Sequence, residues 1–416
     1  MWKRWRTRIM LFLAVLGPGF ITANVDNDSG GIFTYSQAGA QFGYTLLWTM
    51  IPITIALIVV QEMCARMGVV TGKGLSDLIR EEFGLRVTFL IMVMLVLVNY
   101  TNVVTEFIGI AGSLHLFHLS KFISVPICAL LVWALVLRGD YKSTEKIFLI
   151  ASLVYIAYIF AGILAQPDWH ESLRATVTLP PKSVWRDKAY IYMAVGVVGT
   201  TIAPWMQFYL QSSIVEKGVP VKDYPASRLD VIVGCFFTDL IAWFIIVACA
   251  ATLFVHGMGA IQVAADAAEA MRPLAGDYAF VLFAFGLFNA SLFAASILPI
   301  STAYTVCEGL GVESGVDKNF RSAPFFYWLY TLLIAGGALT VLLLPDAQLV
   351  NVAILSQVLN GVLLPVVIIL MLLLINRTDL MGKYKNSRLW NVIAWGTSFI
   401  VIGMTFAMLW GMMPGH

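Results

Sequence analysis

Two aspartates and two glycines interrupt the first apolar stretch of the chain. The stretch IMLFLAVLGPGFIT is apolar enough for the first half of a membrane helix, but the segment ANVDNDSGG at residues 23–31 follows it directly. An aspartate near the bilayer centre costs about 2.5 to 3.5 kcal/mol even on the lenient insertion scale. Such residues usually face a protein interior or an aqueous path, and carboxylate oxygens suit hard cations. We therefore interpret the segment as a candidate cation site.

A second interrupted segment, GVVGTTIAPWMQ at residues 196–207, lies five apolar spans further along the chain. Pro204 removes a backbone donor there, and glycines in both segments tolerate non-helical torsions, so we expect both helices to unwind. The glycines concerned are Gly30, Gly31, Gly196 and Gly199. Each glycine alone could serve only to kink a helix or to allow close packing. Together the two interruptions favour a site, because unwound backbone at membrane depth is tolerated only where it faces protein or water.

The amino-acid composition is typical of a protein that is embedded in a membrane. The chain has 416 residues, of which 60% are hydrophobic and only 12% are charged, whereas about a quarter of a soluble domain is charged. The net charge of +2 gives no basic field that would recruit nucleic acid. The five cysteines are scattered singly, and we find no nucleophile set, phosphate loop or soluble domain that would support an enzyme. We expect a polytopic membrane protein of the cell membrane, in a bacterial plasma membrane.

Eleven stretches are long and apolar enough to cross a bilayer, which takes about 20 residues each. We place them at residues 9–33, 44–66, 86–112, 119–137, 147–165, 189–213, 230–255, 278–308, 324–344, 350–375 and 389–412. Most of the 26 basic residues then fall in alternate loops on the side of the N-terminus. Because cytoplasmic loops hold the excess of Lys and Arg, this asymmetry predicts an N-in, C-out orientation.

The two interruptions sit at matching positions in two groups of five spans, which is typical of transporters built from inverted repeats. We therefore predict a 5+5 inverted repeat in an all-α membrane protein. The predicted units are a first five-helix repeat at 1–165, an extracellular loop at 166–188, a second repeat at 189–375, and a cytoplasmic loop with an additional helix 11 at 376–416.

Several motifs resemble the NRAMP family of divalent metal transporters, whose hallmark in helix 1 is DPGN. The matching segments are GPGF at 17–20, DSGG at 28–31, GAQFGYTLLW at 39–48, TEFIG at 105–109 and SQVLNGVLLP at 356–365. Eleven residues separate the start of the hallmark from GAQFGY in both, so Asp28 rather than Asp26 takes the place of the family aspartate. The resemblance spans nearly the whole chain. It implies a LeuT-type fold with broken helices 1 and 6.

The resemblance also implies a ligand set, from which this chain departs. Family members hold the metal with the hallmark aspartate and asparagine, a methionine in helix 6 and carbonyls of the unwound backbone. Asp28 is kept here, but Gly31 stands in the asparagine place and Ala203 in the methionine place. The alignment gives the carbonyls to Val25 and Thr200. Gln357 matches a helix 10 glutamine that could bind a metal-bound water.

These departures point to a harder cation than the family usually carries. Thioether sulfur favours soft or borderline ions, whereas carboxylate, carbonyl and water suit Mg²⁺ and Ca²⁺. Mg²⁺ keeps several waters when proteins bind it, and the small residues Gly31 and Ala203 would leave room for them. The pattern resembles the NRAMP-related magnesium transporters. We expect partly hydrated Mg²⁺, and also Mn²⁺, as the transported substrate, with no bound cofactor.

Proton coupling is not expected. In the family a helix 6 histidine and a helix 3 aspartate carry the proton, but here Trp205 and Val103 occupy those places while Glu106 is retained. The five histidines, His115, His118, His170, His256 and His416, all lie outside the predicted broken helices. Moving two charges through 100 mV is worth about 4.6 kcal/mol, twice the value for one charge, so an inside-negative potential could drive uptake alone.

Five further polar or aromatic residues are candidates for permeation or gating: Glu106, Trp205, Asp239, Gln207 and Asn360. The residues themselves also allow plainer interpretations. Asp239 could pair structurally, Trp205 could simply pack, and Asn360 or Gln357 could form an interhelical hydrogen bond worth about 0.6 kcal/mol on average.

Two other functions compete with uncoupled import of divalent cations by alternating access. The first is a proton-coupled Mn²⁺ or Fe²⁺ symporter whose ligands lie elsewhere. The second is a LeuT-type carrier of an organic solute, against which the fixed anion of Asp28 argues because it would repel a substrate carboxylate. The expected partners are a divalent metal ion and the lipid bilayer, with no nucleic acid, and the expected state is a monomer.

Overall fold

The computed structural model describes residues 17–138, 141–259, 261 and 264–411, and no strand occurs within them. The α-helices in chain order are α1 (Pro18–Val25), α2 (Ser29–Phe42), α3 (Met50–Thr71), α4 (Leu75–Phe83), α5 (Leu85–His115), α6 (Lys121–Arg138), α7 (Tyr141–Val154), α8 (Ile156–Leu164), α9 (Trp169–Val177), α10 (Lys188–Thr201), α11 (Pro204–Lys217), α12 (Tyr224–Cys249), α13 (Ala264–Leu310), α14 (Pro324–Leu343), α15 (Asp346–Ile375), α16 (Thr378–Met381) and α17 (Arg388–Gly411). Each of the eleven predicted spans coincides with one or two of these helices.

Eight helical stretches within the described residues are long and apolar enough to cross a membrane. They run over Ser29–Thr71, Leu85–His115, Ser143–Leu164, Lys188–Lys217, Val221–Phe254, Gly276–Leu310, Pro324–Leu343 and Leu355–Ile375. A shorter apolar helix covers Lys121–Leu137. The prediction of an all-α, multi-pass membrane protein is confirmed. The predicted start of the first span, at residues 9–16, lies outside the described residues.

Four segments predicted as loops contain helices, one of them the short α16 in the loop that begins at residue 376. The loop at 66–86 contains α4, which buries Leu75, Leu78 and Ile79, whereas its four charged residues are partly or fully exposed. The loop at 166–188 contains α9, and the loop at 256–277 contains the start of α13, which bends at Gly276 with φ of 88°. Short amphipathic helices escape a search for long apolar stretches because half of their residues are polar.

Both predicted interruptions are confirmed. The first span breaks at Asp26–Asp28, between α1 and α2, and the sixth breaks at Ile202–Ala203, between α10 and α11. Pro204 is the first residue of α11, where a missing amide hydrogen costs nothing. Ala203 before it is extended, with φ of −76° and ψ of 141°.

The predicted cause of the unwinding is wrong in one respect. The glycines expected to supply non-helical torsions lie inside helices, Gly30 and Gly31 in α2 and Gly196 and Gly199 in α10. None of the four has a positive φ. The extended torsions fall instead on residues such as Asp28 and Ala203, in regions that any L-residue adopts.

A carboxylate of α12 caps the start of α1. Asp230 Oδ1 accepts hydrogen bonds from the amides of Gly17 (2.8 Å) and Phe20 (3.1 Å), and its Oδ2 accepts from Gly19 (2.8 Å). A Cβ on Gly19 would lie 2.8 Å from the Val231 nitrogen, so only glycine permits this approach. Asp230 was not among the predicted site residues, although it is the first residue of the predicted span 230–255. It lies inside α12, which begins at Tyr224, and its contact with α1 depends on how these two helices pack.

Removing this cap should destabilise the fold. We expect Asp230→Ala to lower the midpoint of thermal unfolding in detergent, because each buried amide left unsatisfied costs about 1 to 3 kcal/mol. Asp230→Asn, which keeps one carbonyl acceptor, should lower it less. The control is Asp379→Asn, which removes an exposed carboxylate from a surface ion pair of little energetic value. Equal midpoints for all three variants would contradict the capping role.

Candidate functional site

Asp28 lies at the break in the first span and caps α2. Its Oδ1 accepts a hydrogen bond from the Gly31 amide at 2.7 Å, which satisfies one of the unpaired donors at the helix start. Four carboxylates lie around this break, and Asp28 is the most exposed, at 9%, against 4% for Asp239, 2% for Asp26 and 1% for Glu106. Asp28 is therefore the carboxylate most accessible to an entering ion.

Glu106 on α5 satisfies a second amide of the same helix start. Its Oε2 accepts from the Ser29 amide at 3.1 Å, and its Oε1 is buried without a hydrogen-bond partner among the described residues. Gly109, one turn further along α5, lets the helices approach, because a Cβ there would collide with the side chains of Ser29 and Ser291. Glu106 therefore belongs to the same polar cluster as Asp28.

Gln357 on α15 reaches this cluster. A Cβ built on Gly30 would collide with the Gln357 amide nitrogen and would lie 3.3 Å from Asp28 Oδ1. The structure thus brings three sequence-predicted positions together, Asp28, Gly31 and Gln357. A Cβ on Gly31 would lie 2.6 Å from the Asp26 carbonyl oxygen. The expectation that Gly31 leaves room for water is wrong, since the unwound chain itself fills that space.

The carbonyls predicted as ligands, those of Val25 and Thr200, have no hydrogen-bonding amide among the described residues. The amide four residues after Val25 is that of Ser29, which donates to Glu106 instead. The residue four positions after Thr200 is Pro204, which has no amide hydrogen. Both breaks therefore leave carbonyl oxygens available to a ligand.

A hydrogen bond ties the two broken spans together. The Tyr35 hydroxyl on α2 lies 2.8 Å from Thr201 Oγ1 on α10. Thr201 Oγ1 already donates to the Val197 carbonyl at 2.8 Å, so Tyr35 is the donor of the pair. A Cβ on Gly196 would meet Thr34 at an ordinary contact distance of 3.6 Å. The helix after the first break thus packs against the helix before the second.

The two other predicted residues of the sixth span are Gln207, which lies at the break, and Trp205, which packs in the core. With its nitrogen turned toward the break, the Gln207 amide donates to the carbonyls of Ala203 and Pro204, each at 2.7 Å. Trp205 is buried, its ring centroid lies 6.4 Å from that of Tyr209, and its carbonyl accepts from Ser301 at 3.1 Å. These contacts match the packing interpretation of Trp205.

Asn360 and Asp239 differ in their surroundings. Asn360 on α15 exchanges two hydrogen bonds with Asn102 on α5, at 2.9 and 3.1 Å, which is the interhelical bond considered as its plainer interpretation. Both carboxylate oxygens of Asp239, on α12, are buried without a hydrogen-bond partner among the described residues. The structural pairing considered for Asp239 is not observed in that part of the chain.

Asp26 and Asn27 were not among the predicted site residues. Asp26 is buried with both carboxylate oxygens unpartnered, and Asn27 is buried and bonded to α12. The signal was present in the motif DND, which places three polar residues at membrane depth. Across the described part of the chain, no three His, Cys, Asp or Glu side chains are grouped so that they could hold one metal ion.

A narrow cleft lies beside α1. Its lining includes Pro18 and Ile21 of α1, Glu145 of α7, Tyr209 of α11 and Tyr304 of α13. It lies at the end of the molecule predicted to be cytoplasmic, where Lys217 of α11 pairs with Glu145 at 2.6 Å.

These helices define an all-helical membrane protein in which two broken spans meet beside a buried polar cluster. Residues 19–411 match the family described as natural resistance-associated macrophage protein-like. The chain belongs to that family.

The chain is similar to curated bacterial proteins over nearly its whole length. It is 27% identical to the divalent metal cation transporter MntH of Deinococcus radiodurans, over 97% of this chain and 91% of the relative. It is also 27% identical to MntH of Yersinia enterocolitica, over 97% of this chain and 96% of the relative. The location in a membrane is thereby confirmed.

Two solved structures share the fold. The Eremococcus coleocola manganese transporter superposes with a TM-score of 0.75 at 22% identity, covering 98% of this chain and 87% of that one. MhsT, solved in complex with L-phenylalanine, superposes with a TM-score of 0.58 at 15% identity, covering 94% and 97%. The predicted LeuT-type fold is confirmed, whereas the orientation and the repeat boundaries stay predictions.

Glycine-to-alanine substitutions should have different effects on stability in the two broken spans. We expect Gly31→Ala to lower the midpoint of thermal unfolding, because its Cβ would press on the Asp26 carbonyl and overpacking costs about 1 to 3 kcal/mol. The matched control is Gly199→Ala, where a Cβ meets nothing within 4 Å and alanine favours the helix by up to about 1 kcal/mol. If Gly199→Ala proved as damaging as Gly31→Ala, α10 would have to unwind at Gly199.

Proposed function

We propose that this protein imports divalent metal cations across a bacterial plasma membrane, with partly hydrated Mg²⁺ as the main substrate and Mn²⁺ as a second. Transport proceeds by alternating access and without proton coupling. Membership of the family and the names of the curated relatives support divalent metal transport in general. The choice of Mg²⁺ rests on the chemistry of the broken spans.

The observation that carries the proposal is the position of Asp28. Its Oδ1 is held by the Gly31 amide, so the carboxylate is already oriented before an ion arrives. The carbonyls of Val25 and Thr200 lack amide partners and supply further oxygen donors at the two breaks. Carboxylate and carbonyl oxygens are the donors that Mg²⁺ takes in proteins.

A partly hydrated ion fits the other side chains around Asp28. Mg²⁺ gives up its water reluctantly and usually keeps several water ligands when bound by one or two carboxylates. The Gln357 amide and the unpartnered Oε1 of Glu106 can bind those waters. Ala203 brings no sulfur to the sixth span, so the soft donor that favours transition metals is absent at that position.

The short helices beside the breaks are the natural moving parts. The cleft beside α1 is lined by the side chains of Tyr209 and Tyr304 and lies at the predicted cytoplasmic end. Displacement of α1 from α12 would require release of the amides held by Asp230. Ion release toward the cytoplasm then follows that displacement.

A proton-coupled Mn²⁺ symporter is the second candidate. The name of the Eremococcus coleocola structure, a manganese transporter, favours it. Against it, the position of the family histidine is taken by Trp205, which is buried and does not titrate. Glu106 is retained, but one of its oxygens is engaged by the Ser29 amide.

Replacement of the central carboxylate tests the site. We expect Asp28→Asn to reduce Mg²⁺ uptake into proteoliposomes strongly. Changing a residue that only supports a metal ligand typically lowers affinity or activity about 10- to 100-fold, and the loss for Asp28→Asn should be larger. Its amide oxygen can still cap α2, so thermal stability should change little. Asp379→Asn, an exposed change far from the site, should transport like the unmodified protein. Undiminished uptake by Asp28→Asn would remove the basis of the proposal.

The driving force for uptake distinguishes uncoupled Mg²⁺ import from proton-coupled Mn²⁺ symport. We expect an inside-negative potential of about 100 mV to accumulate Mg²⁺ in proteoliposomes, since two charges gain about 4.6 kcal/mol, with no change in internal pH. Internal pH is followed with an entrapped dye, and an ionophore that collapses the potential should stop accumulation above the external Mg²⁺ concentration. Acidification that appears only when Mg²⁺ or Mn²⁺ is added would favour the proton-coupled symporter instead.

A further inference from the structure

Two carboxylates beside the first break have no partner in the fold. Asp26 lies on the unwound segment between α1 and α2, and Asp239 lies on α12. Both are almost completely buried, and all four of their oxygens lack a hydrogen-bond partner among the described residues. The nearby hydroxyl of Thr54 already donates to the Met50 carbonyl at 2.7 Å. The fold therefore leaves this pair of side chains for something else to satisfy.

A third side chain joins the two. The Asn27 amide nitrogen donates to the carbonyl of Thr238 (3.0 Å) and to its hydroxyl (2.7 Å), and Thr238 directly precedes Asp239. The unwound segment is thereby fixed against α12 at this point. The Asn27 side-chain oxygen is buried and has no partner in the described residues. Asp26 and Asp239 are thus the chain neighbours of the two residues that make this contact, the junction of the unwound segment with α12.

The charges at this junction are not compensated. Asp26 lies within electrostatic range of Asp28 and Asp239, and neither Asp26 nor Asp239 takes part in an ion pair in the described part of the chain. Burying an ionised carboxylate costs several kcal/mol unless a cation or a good set of donors compensates. Such residues inside a membrane normally mark an ion pathway.

We propose that Asp26, Asn27 and Asp239 form a second cation site, separate from the position of Asp28 and deeper in the protein. Two carboxylates and an amide oxygen are hard donors, so the site takes a divalent cation such as Mg²⁺ or Mn²⁺, with water completing the coordination shell. The proposal rests on the proposed function for the identity of the ion. The site gives a transported ion a second position next to the first.

Counting bound Mn²⁺ tests the proposal. The full-length protein in detergent is titrated with Mn²⁺, and free Mn²⁺ is measured by its electron paramagnetic resonance signal. We expect the unmodified protein to bind two Mn²⁺ per chain, and Asp239→Asn and Asp28→Asn each to bind one. The matched control is Cys249→Ala, a buried change on the same helix α12, which should bind two.

Crystals of the unmodified protein soaked in Mn²⁺ give a readout that does not depend on the folding of a variant. We expect an anomalous peak between Asp26 and Asp239, in addition to one at Asp28. A single bound Mn²⁺ that Asp239→Asn leaves in place, with no peak at the junction, would overturn the second site. The two proposals fail separately: if Asp28→Asn still transports Mg²⁺ while Asp239→Asn loses one Mn²⁺, the second site stands and the proposed function fails.

Discussion

Backbone groups exposed at membrane depth need partners, and side chains supply several of them at the two broken spans. The amides at the start of α2 are bound by Asp28 and Glu106, and those at the start of α1 by Asp230. At the second break the Gln207 amide, with its nitrogen turned toward the break, can donate to the carbonyls of Ala203 and Pro204. An unpaired amide or carbonyl in lipid costs several kcal/mol, so these side chains stabilise the broken form.

The same side chains connect the fold to the proposed transport. Capping occupies one oxygen of Asp28 and one of Glu106, and each carboxylate retains a second oxygen. A cation bound there would meet groups that the fold has already oriented, so little ordering would remain at the moment of binding. Asp26 and Asp239 differ, because the fold uses none of their oxygens. A cation at the proposed second site would compensate both carboxylates.

The sequence predicted the spans well because an apolar stretch of about 20 residues is a local property. It also located both breaks, since Asp28 and Pro204 are visible without any knowledge of packing. It misjudged the glycines. Gly30 and Gly31 were expected to supply torsions, but they serve close approach, and what approaches them is Gln357 from a distant helix and the carbonyl of Asp26. The helices α4 and α9 escaped because short amphipathic helices look like polar loops.

The sequence by itself determined the membrane class and the family resemblance, which follow from composition and from motifs of adjacent residues, and it singled out Asp28 as the candidate ligand. Only the tertiary structure decided which distant groups meet. Asp230 reaches Gly17 across 213 positions, and Asn27 reaches Thr238 across 211. Such pairs leave no periodic or compositional trace, because their contact depends on how α1 and α12 pack rather than on the residues beside them in the chain.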